Sequence, residues 1–409
     1  MLDESSLAST KQVKAFLDKI EPQDRVLLIG DTRQHQGVEA GKPFQQLQDG
    51  GLRTAQLDQI IRQKDPGLLK AVELLSAGDT AAGVRLLTEQ GRVTEVAKPQ
   101  ERYAAIARDY VAKPENTIIV SPDNRSRQEI NQAVRTELQA KGVIASENQT
   151  FQTLNHRSDI TGADRAWAVR YQPGNVVQYT TGSKELGIER GSSATVLSTG
   201  ARDNTVTVEK RDGQTVTYNP QRLRGVNVFE TAQREFATGD RLQFTAPDKG
   251  LGIVRRELGS ITRLSRDEIT VKLDGKNGRT ITFDPKEFRS FDHGYAVTSH
   301  SAQGLTTDRV LVNIDADGPR GLINSRLAYV AVSRAAHEAQ IYTNDARRLA
   351  AALSTKHSKT SAVDFQPTTS QTKETQQHAH EQNKPEPAAV KQTPSLQQPS
   401  PGLGLGLGL

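Results

Sequence analysis

Two short segments, 298-TSHSAQGLT-306 and 329-YVAVSRA-335, carry the side chains best suited to phosphate chemistry. In the first, hydroxyls, an imidazole and the Gln303 amide can hydrogen-bond to phosphate or sugar, and Gly304 lets backbone approach a ligand closely. In the second, Arg334 follows an apolar, strand-like run. Such a run would hold it rigidly, as a guanidinium must be held to stabilise transferring phosphate charge. The structural alternatives are a capped turn and a partly buried ion pair.

Three further places offer complementary chemistry. Asp3 and Glu4 form a carboxylate pair at the end of a short Met1-Leu2 strand, placed where one could bind magnesium and the other activate water. Alone, the pair could equally be solvated. In 30-GDTRQ-34, Gly30 permits a tight turn and Gln34 offers an amide to a γ-phosphate or an attacking water, whereas Asp31 could simply cap a polar turn. Arg62 in 60-IIRQ-63 could fork onto phosphate oxygens or be an ordinary surface arginine. Arg127, Asn131 and Arg135 share a helix face that suits phosphate or solvent. Trp167 and Tyr171 could stack on bases or fill a core. His378 and His380 lack a third ligand for a metal.

These residues need a scaffold. Ser9 is expected to cap a helix carrying Val13, Phe16, Leu17 and Ile20, followed by a turn at Glu21-Pro22-Gln23-Asp24. A buried strand, Val26 to Ile29, would then deliver GDTRQ at its carboxyl end, where open α/β sheets hold ligands. Thr117 to Val120 reads as a second strand, Ser121 to Asn124 as a turn and Arg125 to Lys141 as a helix, which is parallel α/β grammar. From about Ala166 the pattern changes to short alternating strands with glycine turns. There 174-GNVVQYTTGSKELGI-188 matches 239-GDRLQFTAPDKGLGI-253 and 212-DGQTVTYNP-220 matches 277-NGRTITFDP-285, both 65 residues apart. Tandem barrels of the Src-homology-3 type are expected, with about five strands each. After Asp292 the α/β pattern returns, with strands at Arg309 to Ile314 and Gln340 to Thr343, so the barrels read as an insertion.

Composition narrows the class. The 409 residues suffice for two or three domains, and only 35% are hydrophobic. From about Thr355 the chain is rich in Gln, Ser, Thr, Pro, Lys and Glu and ends in a Gly-Leu alternation, which predicts a disordered tail. A net charge of +5 fits a polyanionic partner without naming one. The absence of cysteine excludes a disulfide framework or a thiolate metal site. No apolar run approaches about 18 residues, so a cytoplasmic protein without membrane insertion is expected.

Taken in order, LDESSLAST, GDTRQHQGVEAGKPFQQLQ, SPDNRSRQEIN, the tandem barrels, TSHSAQGLT and YVAVSRA resemble the helicase region of MobF-class conjugative relaxase-helicases, the TraI and TrwC type. These are RecD-like members of superfamily 1, and the resemblance covers nearly all of residues 2–350. It implies an α/β fold with RecA-like, P-loop NTPase-type parallel sheets, the first truncated. The implied domains are 1–60 as the remnant of the first, 61–165 and 293–354 as the second, 166–292 as the inserted barrels and 355–409 as the tail. It also implies an ATP-dependent DNA helicase moving 5′ to 3′ on single-stranded plasmid DNA, with ATP and Mg2+ as cofactors. Asp3 would bind the metal, Glu4 would polarise water, Gln34 would sense the γ-phosphate, and Arg62 and Arg334 would reach it. Gly30, Asp31, Gln303 and Gly304 would lie at the nucleotide. Ser121, Asn124, Arg127, Thr298, Ser299, His300 and Thr306 would lie at DNA. Partners would be single-stranded and duplex DNA and a type IV secretion coupling protein.

Two features depart from that pattern: no G-x-x-x-x-G-K-[ST] phosphate loop occurs, and no relaxase domain with its histidine cluster and nicking tyrosines. The chain therefore reads as the C-terminal half of a larger protein, with little or no ATPase activity alone. The rival readings are a non-catalytic module for strand binding or secretion recognition, and a RecD-like repair helicase.

Overall fold

The computed structural model describes residues 1–37, 41–57, 59–157, 160, 162–223, 225–275 and 278–355. The expected tail, with His378 and His380, lies outside them. Helix α1 (Thr10–Leu17) begins as expected at Ser9, whose side chain accepts from Gln12 in a reciprocal capping box. Asp24 N donates to Glu21 O at 2.9 Å, closing the expected turn. The strand expected at Val26 to Ile29 does not form. Only Leu28 bridges to Leu2, and Val26, Leu27 and Ile29 stay 41–57% exposed. Apolar character alone does not make a buried strand when the described residues provide just a two-residue partner.

Next come α2 (Pro43–Asp49), α3 (Pro66–Ala77) and α4 (Thr80–Glu89). Asp65 and Asp79 cap α3 and α4 by accepting from Leu68 N and Ala82 N, and Gly78 ends α3 at φ 85°. Strand β1 (Val93–Glu95), α5 (Pro99–Ala112), β2 (Thr117–Ser121) and α6 (Asn124–Ala140) follow.

An all-β part starts at β3 (Gln149–His156), earlier than the expected boundary at 166, because β3 pairs along its whole length with the long strand β8 (Val226–Phe236). Between them lie β4 (Val176–Tyr179), β5 (Ser193–Gly200), β6 (Thr205–Lys210) and β7 (Thr215–Tyr218). The second unit comprises β9 (Arg241–Phe244), β10 (Leu258–Leu264), β11 (Ile269–Leu273), β12 (Thr280–Phe283) and β13 (Phe291–His293). Both units are antiparallel, in the orders β3-β8-β4-β5-β6-β7 and β12-β11-β10-β9-β13, with two apolar cores, the second of which also takes in Phe151 of β3 and Phe236 of β8. The sequence repeat is a structural repeat: bridges Ser183–Ile188 and Asp248–Ile253, and register shifts at Val196 and Ile261, recur 65 residues apart.

The chain then returns to the α/β part through β14 (Ala296–Thr298), α7 (Ser299–Ala302), β15 (Thr307–Ile314), α8 (Ser325–Val332), β16 (Ala335–Thr343) and α9 (Ala346–Leu353). The sheet is all-parallel in the order β1-β16-β15-β2-β14. Ile118, Val120, Val310 and Val312 pack under α3, α4, α8 and α9, while Ile119 and Leu311 pack under α5 and α6. Burial on both faces is why these strands read as unbroken apolar runs. The run before Arg334, expected to be strand-like, is helix α8. Asn324 caps it by accepting from Arg326 N and Leu327 N, and a short wholly apolar run carries no period to separate helix from strand.

Candidate functional site

The N-terminal segment folds onto itself before it meets the parallel sheet. Ser5 N donates to Ile29 O at 2.7 Å, and a Cβ on Gly30 would lie 2.9 Å from Ser6 N, so only glycine permits this approach. Glu4 occupies left-handed backbone at φ 51°, uncommon for a residue with a side chain. Its Oε2 accepts from Gln303 Nε2 at 2.8 Å, which joins the first motif to 298-TSHSAQGLT-306. Asp31 caps its turn, accepting from Arg33 N at 2.9 Å and from Gln34 Nε2 at 3.1 Å. Gln34 Oε1 and Gln303 Oε1 are buried without a hydrogen-bond partner. Buried carbonyl oxygens of this kind call for a donor, and a bound water is one.

Arg334 is 2% exposed and, among the described residues, donates only to uncharged oxygens: Val330 O at 3.0 Å, Leu305 O at 3.4 Å and Ser333 Oγ at 3.1 Å. Burial and then the neighbouring Arg62 pull its pKa down to about 10, against the opposing influence of Tyr329, Glu4 and Asp31. Arg62 Nη1 donates to Ser333 O at 2.8 Å, so both guanidiniums are anchored on Ser333. Gln63 Nε2 pins the same turn through Ser333 O and Ala335 O. Tyr329 hydrogen-bonds Asp31, and burial first, then Asp31, pushes its phenol up to about 12. The His35 and His300 rings stack 4.0 Å apart at 14°. Burial, then His300, Arg326, Arg334 and Arg256, hold the His35 pKa near 2, so this imidazole is neutral.

The cluster fits the phosphate end of a nucleotide. Two close guanidiniums with incompletely balanced charge favour an anion, and Glu4 with the orphaned amide oxygens suits a water beside it. Among the described residues no group of three His, Cys, Asp or Glu side chains is placed to hold a metal. Asp3 is exposed and accepts from Glu4 N at 2.8 Å, which leaves one carboxylate for a magnesium ion carried mainly by phosphates and water.

Glu4, Gln34, Arg62, Gln303, His300 and Arg334 thus come together, with Asp31 beside them. The expected DNA residues on α6 do not join them. Ser121 is fully buried at the carboxyl end of β2, with its Oγ 2.6 Å from Ser126 Oγ and accepting from Asn313 Nδ2 at 3.2 Å. Arg127 is paired at 2.7 Å with buried Asp292, and Arg135 at 3.0 Å with buried Asp240. These arginines face the second β unit, so their charge is already neutralised and offers nothing to a phosphate. Asn131 bonds Ala296 backbone at both its amide atoms. Asn124 and Thr306 are exposed, Ser299 is buried, Gly304 takes φ 85°, and Thr298 caps α7 by accepting from Ser301 N at 3.2 Å. Trp167 is 52% exposed, whereas Tyr171 fills the first β core. Sequence reasoning missed Tyr329 and His35, although each lies inside a segment it used, and it missed Arg256, which no motif marks.

Residues 1–98 match the model of an AAA domain and 293–342 that of a UvrD-like helicase C-terminal domain. Multifunctional conjugation protein TraI of Escherichia coli is 24% identical over 89% of this chain, and conjugal transfer protein TraA of Agrobacterium fabrum 22% over 90%. The chain spans 23% and 27% of their lengths. Among solved structures, a Bacteroides Pif1 bound to single-stranded DNA is 15% identical, with a TM-score of 0.43 over 93% of this chain and 75% of the other. Pif1 helicase from Candida albicans is 14% identical, with a TM-score of 0.36 over 92% and 76%. The chain is thus similar to the TraI and TraA conjugation proteins over most of its own length, with an AAA-domain match ahead of its β units and a UvrD-like helicase C-terminal-domain match after them.

Proposed function

We propose that this chain is the γ-phosphate-sensing part of an ATP-driven DNA motor that acts in conjugative transfer. The observation that carries the reading is the convergence of Glu4, Gln34 and Gln303 with the carbonyl-anchored pair Arg62 and Arg334. In this reading Arg334 and Arg62 stabilise charge on the transferring phosphoryl group, Gln34 orients the attacking water and Glu4 polarises it. Bound Mg2+ would neutralise phosphate charge, with Asp3 as its protein ligand. The Gln303–Glu4 bond ties that chemistry to the segment Thr298–Thr306, which would follow the single strand. Travel 5′ to 3′, a cytoplasmic location and recognition by a type IV secretion coupling protein belong to the same proposal. Among the described residues no helix is long and apolar enough to cross a membrane.

The test is ATP hydrolysis by the chain with and without single-stranded DNA. Marginal turnover is expected, because the sequence has no G-x-x-x-x-G-K-[ST] loop to cradle the β- and γ-phosphates. Robust turnover abolished by Arg334→Ala would refute that dependence, and failure to bind single-stranded DNA at low salt would refute the motor reading itself.

A further inference from the structure

The two β units carry one turn twice, with a single telling difference. Ahead of β5, Gly191 takes φ 87° and donates from its N–H to Tyr179 O at 2.7 Å. Sixty-five residues later, ahead of β10, Arg256 takes φ 74° and donates to Phe244 O, also at 2.7 Å. Left-handed backbone suits glycine and strains any residue with a Cβ. A turn that forms with glycine in the first unit is therefore built with arginine in the second against its conformational preference, and such strain tends to persist where a side chain has a task.

Arg256 lines a cavity of about 1350 Å³ between the second β unit and the parallel sheet. Arg255, Arg256 and Lys272 come from the β unit, and Ser301, Gln303 and Thr306 from the segment after β14. Arg241 in the same groove is tied to Asp274, and Glu257 accepts from Val254 N at 3.0 Å, while Glu115 adds one carboxylate to the lining. Among the described residues no ion pair holds Arg255, Arg256 or Lys272. Gln303 connects the groove to the phosphate cluster through Glu4, and the Arg256 charge is felt by both Glu4 and His35.

We propose that Arg256 is a strand-contacting residue, held in strained backbone by the second β unit so that its guanidinium meets the phosphates of single-stranded DNA lying in this groove. The inference rests on the motor function proposed above and adds a residue and a path to it. Oligo-dT binding, followed by fluorescence anisotropy across a salt series, tests it together with thermal melting. Arg256→Gly restores the residue type of the first unit, so its Tm is expected to stay level or rise. Its affinity is expected to fall about three- to tenfold, and the slope of log K against log salt to shrink by about 0.7, as for one lost phosphate contact. Arg256→Lys should retain the slope, and Arg190→Gly, in the neighbouring turn of the first unit, should leave affinity unchanged. An Arg256→Gly protein with the parent's affinity and slope overturns the inference and leaves the motor reading standing. A lowered Tm in that variant also overturns it, by removing the strain. No oligo-dT binding by the parent overturns both.

Discussion

Arg135 and Arg334 are 1% and 2% exposed, yet their surroundings differ in kind. Arg135 donates to both oxygens of Asp240, whose carboxylate also accepts from Tyr295 Oη at 2.7 Å and Ala237 N at 2.7 Å. Arg127 is likewise paired with buried Asp292, donating to its Oδ2 at 2.7 Å. Those charges balance inside the molecule, between α6 and the second β unit. Arg334 has carbonyls and a hydroxyl for partners, with a second guanidinium beside it. Glu4 and Asp31 act on the Arg334 charge without forming an ion pair with it, and a buried charge so incompletely balanced fits a site completed by an outside anion.

The contrast can be broken by substitution. Asp240→Ala leaves Arg135, Tyr295 and Ala237 without their acceptor and is expected to destabilise the protein by about 3–5 kcal/mol in urea unfolding. A loss under about 1 kcal/mol would mean that this pair does not join α6 to the second β unit.

His35 gives a smaller, pH-dependent effect on the ligand side. Its folded pKa near 2 lies far below the ordinary 6.5, so the unfolded chain takes up a proton that the folded chain refuses. Stability attributable to His35 is therefore intact above the unfolded value and is lost as pH falls below it. Between pH 7 and 5 this amounts to about 2 kcal/mol. His35→Phe, which keeps a ring against His300, should flatten that part of the pH–stability curve; an unchanged curve would place the titration elsewhere.

The smallest effect is expected at Arg334. Arg334→Leu removes an unbalanced buried charge, so stability should change by less than about 1 kcal/mol, with either sign. A loss as large as that of Asp240→Ala would erase the distinction between the two arginines.

The same contrast explains what could be read from sequence. The β repeat was legible because its glycine turns and alternating strands recur at a fixed offset, and local chemistry of that kind survives folding. Ser9, Asp3-Glu4 and GDTRQ were legible as motifs for the same reason. The fate of Arg127 and Arg135 was not, since their carboxylates lie 165 and 105 residues away and only the fold brings them under α6. The segment before Arg334 was misread as strand because its last turns are a short apolar run, buried apart from the half-buried Tyr329, with no polar face to reveal a helical period. The strand β3 escaped notice because its partner β8 lies beyond the intervening strands of the first unit. Arg256 stood out only once its backbone angle could be set beside that of Gly191.

The central claim, that Arg334 and Arg62 form a phosphate site left open by the fold, is tested most directly by ligand-induced thermal stabilisation. Titrating ATP with Mg2+ at low salt should raise Tm in the parent chain, because a ligand that binds only the folded state stabilises it by mass action. The rise should vanish in Arg334→Leu and persist in Asn131→Ala, a change at the α6 interface outside the cluster. A parent without any rise, or an Arg334→Leu protein stabilised as much as the parent, would contradict the account.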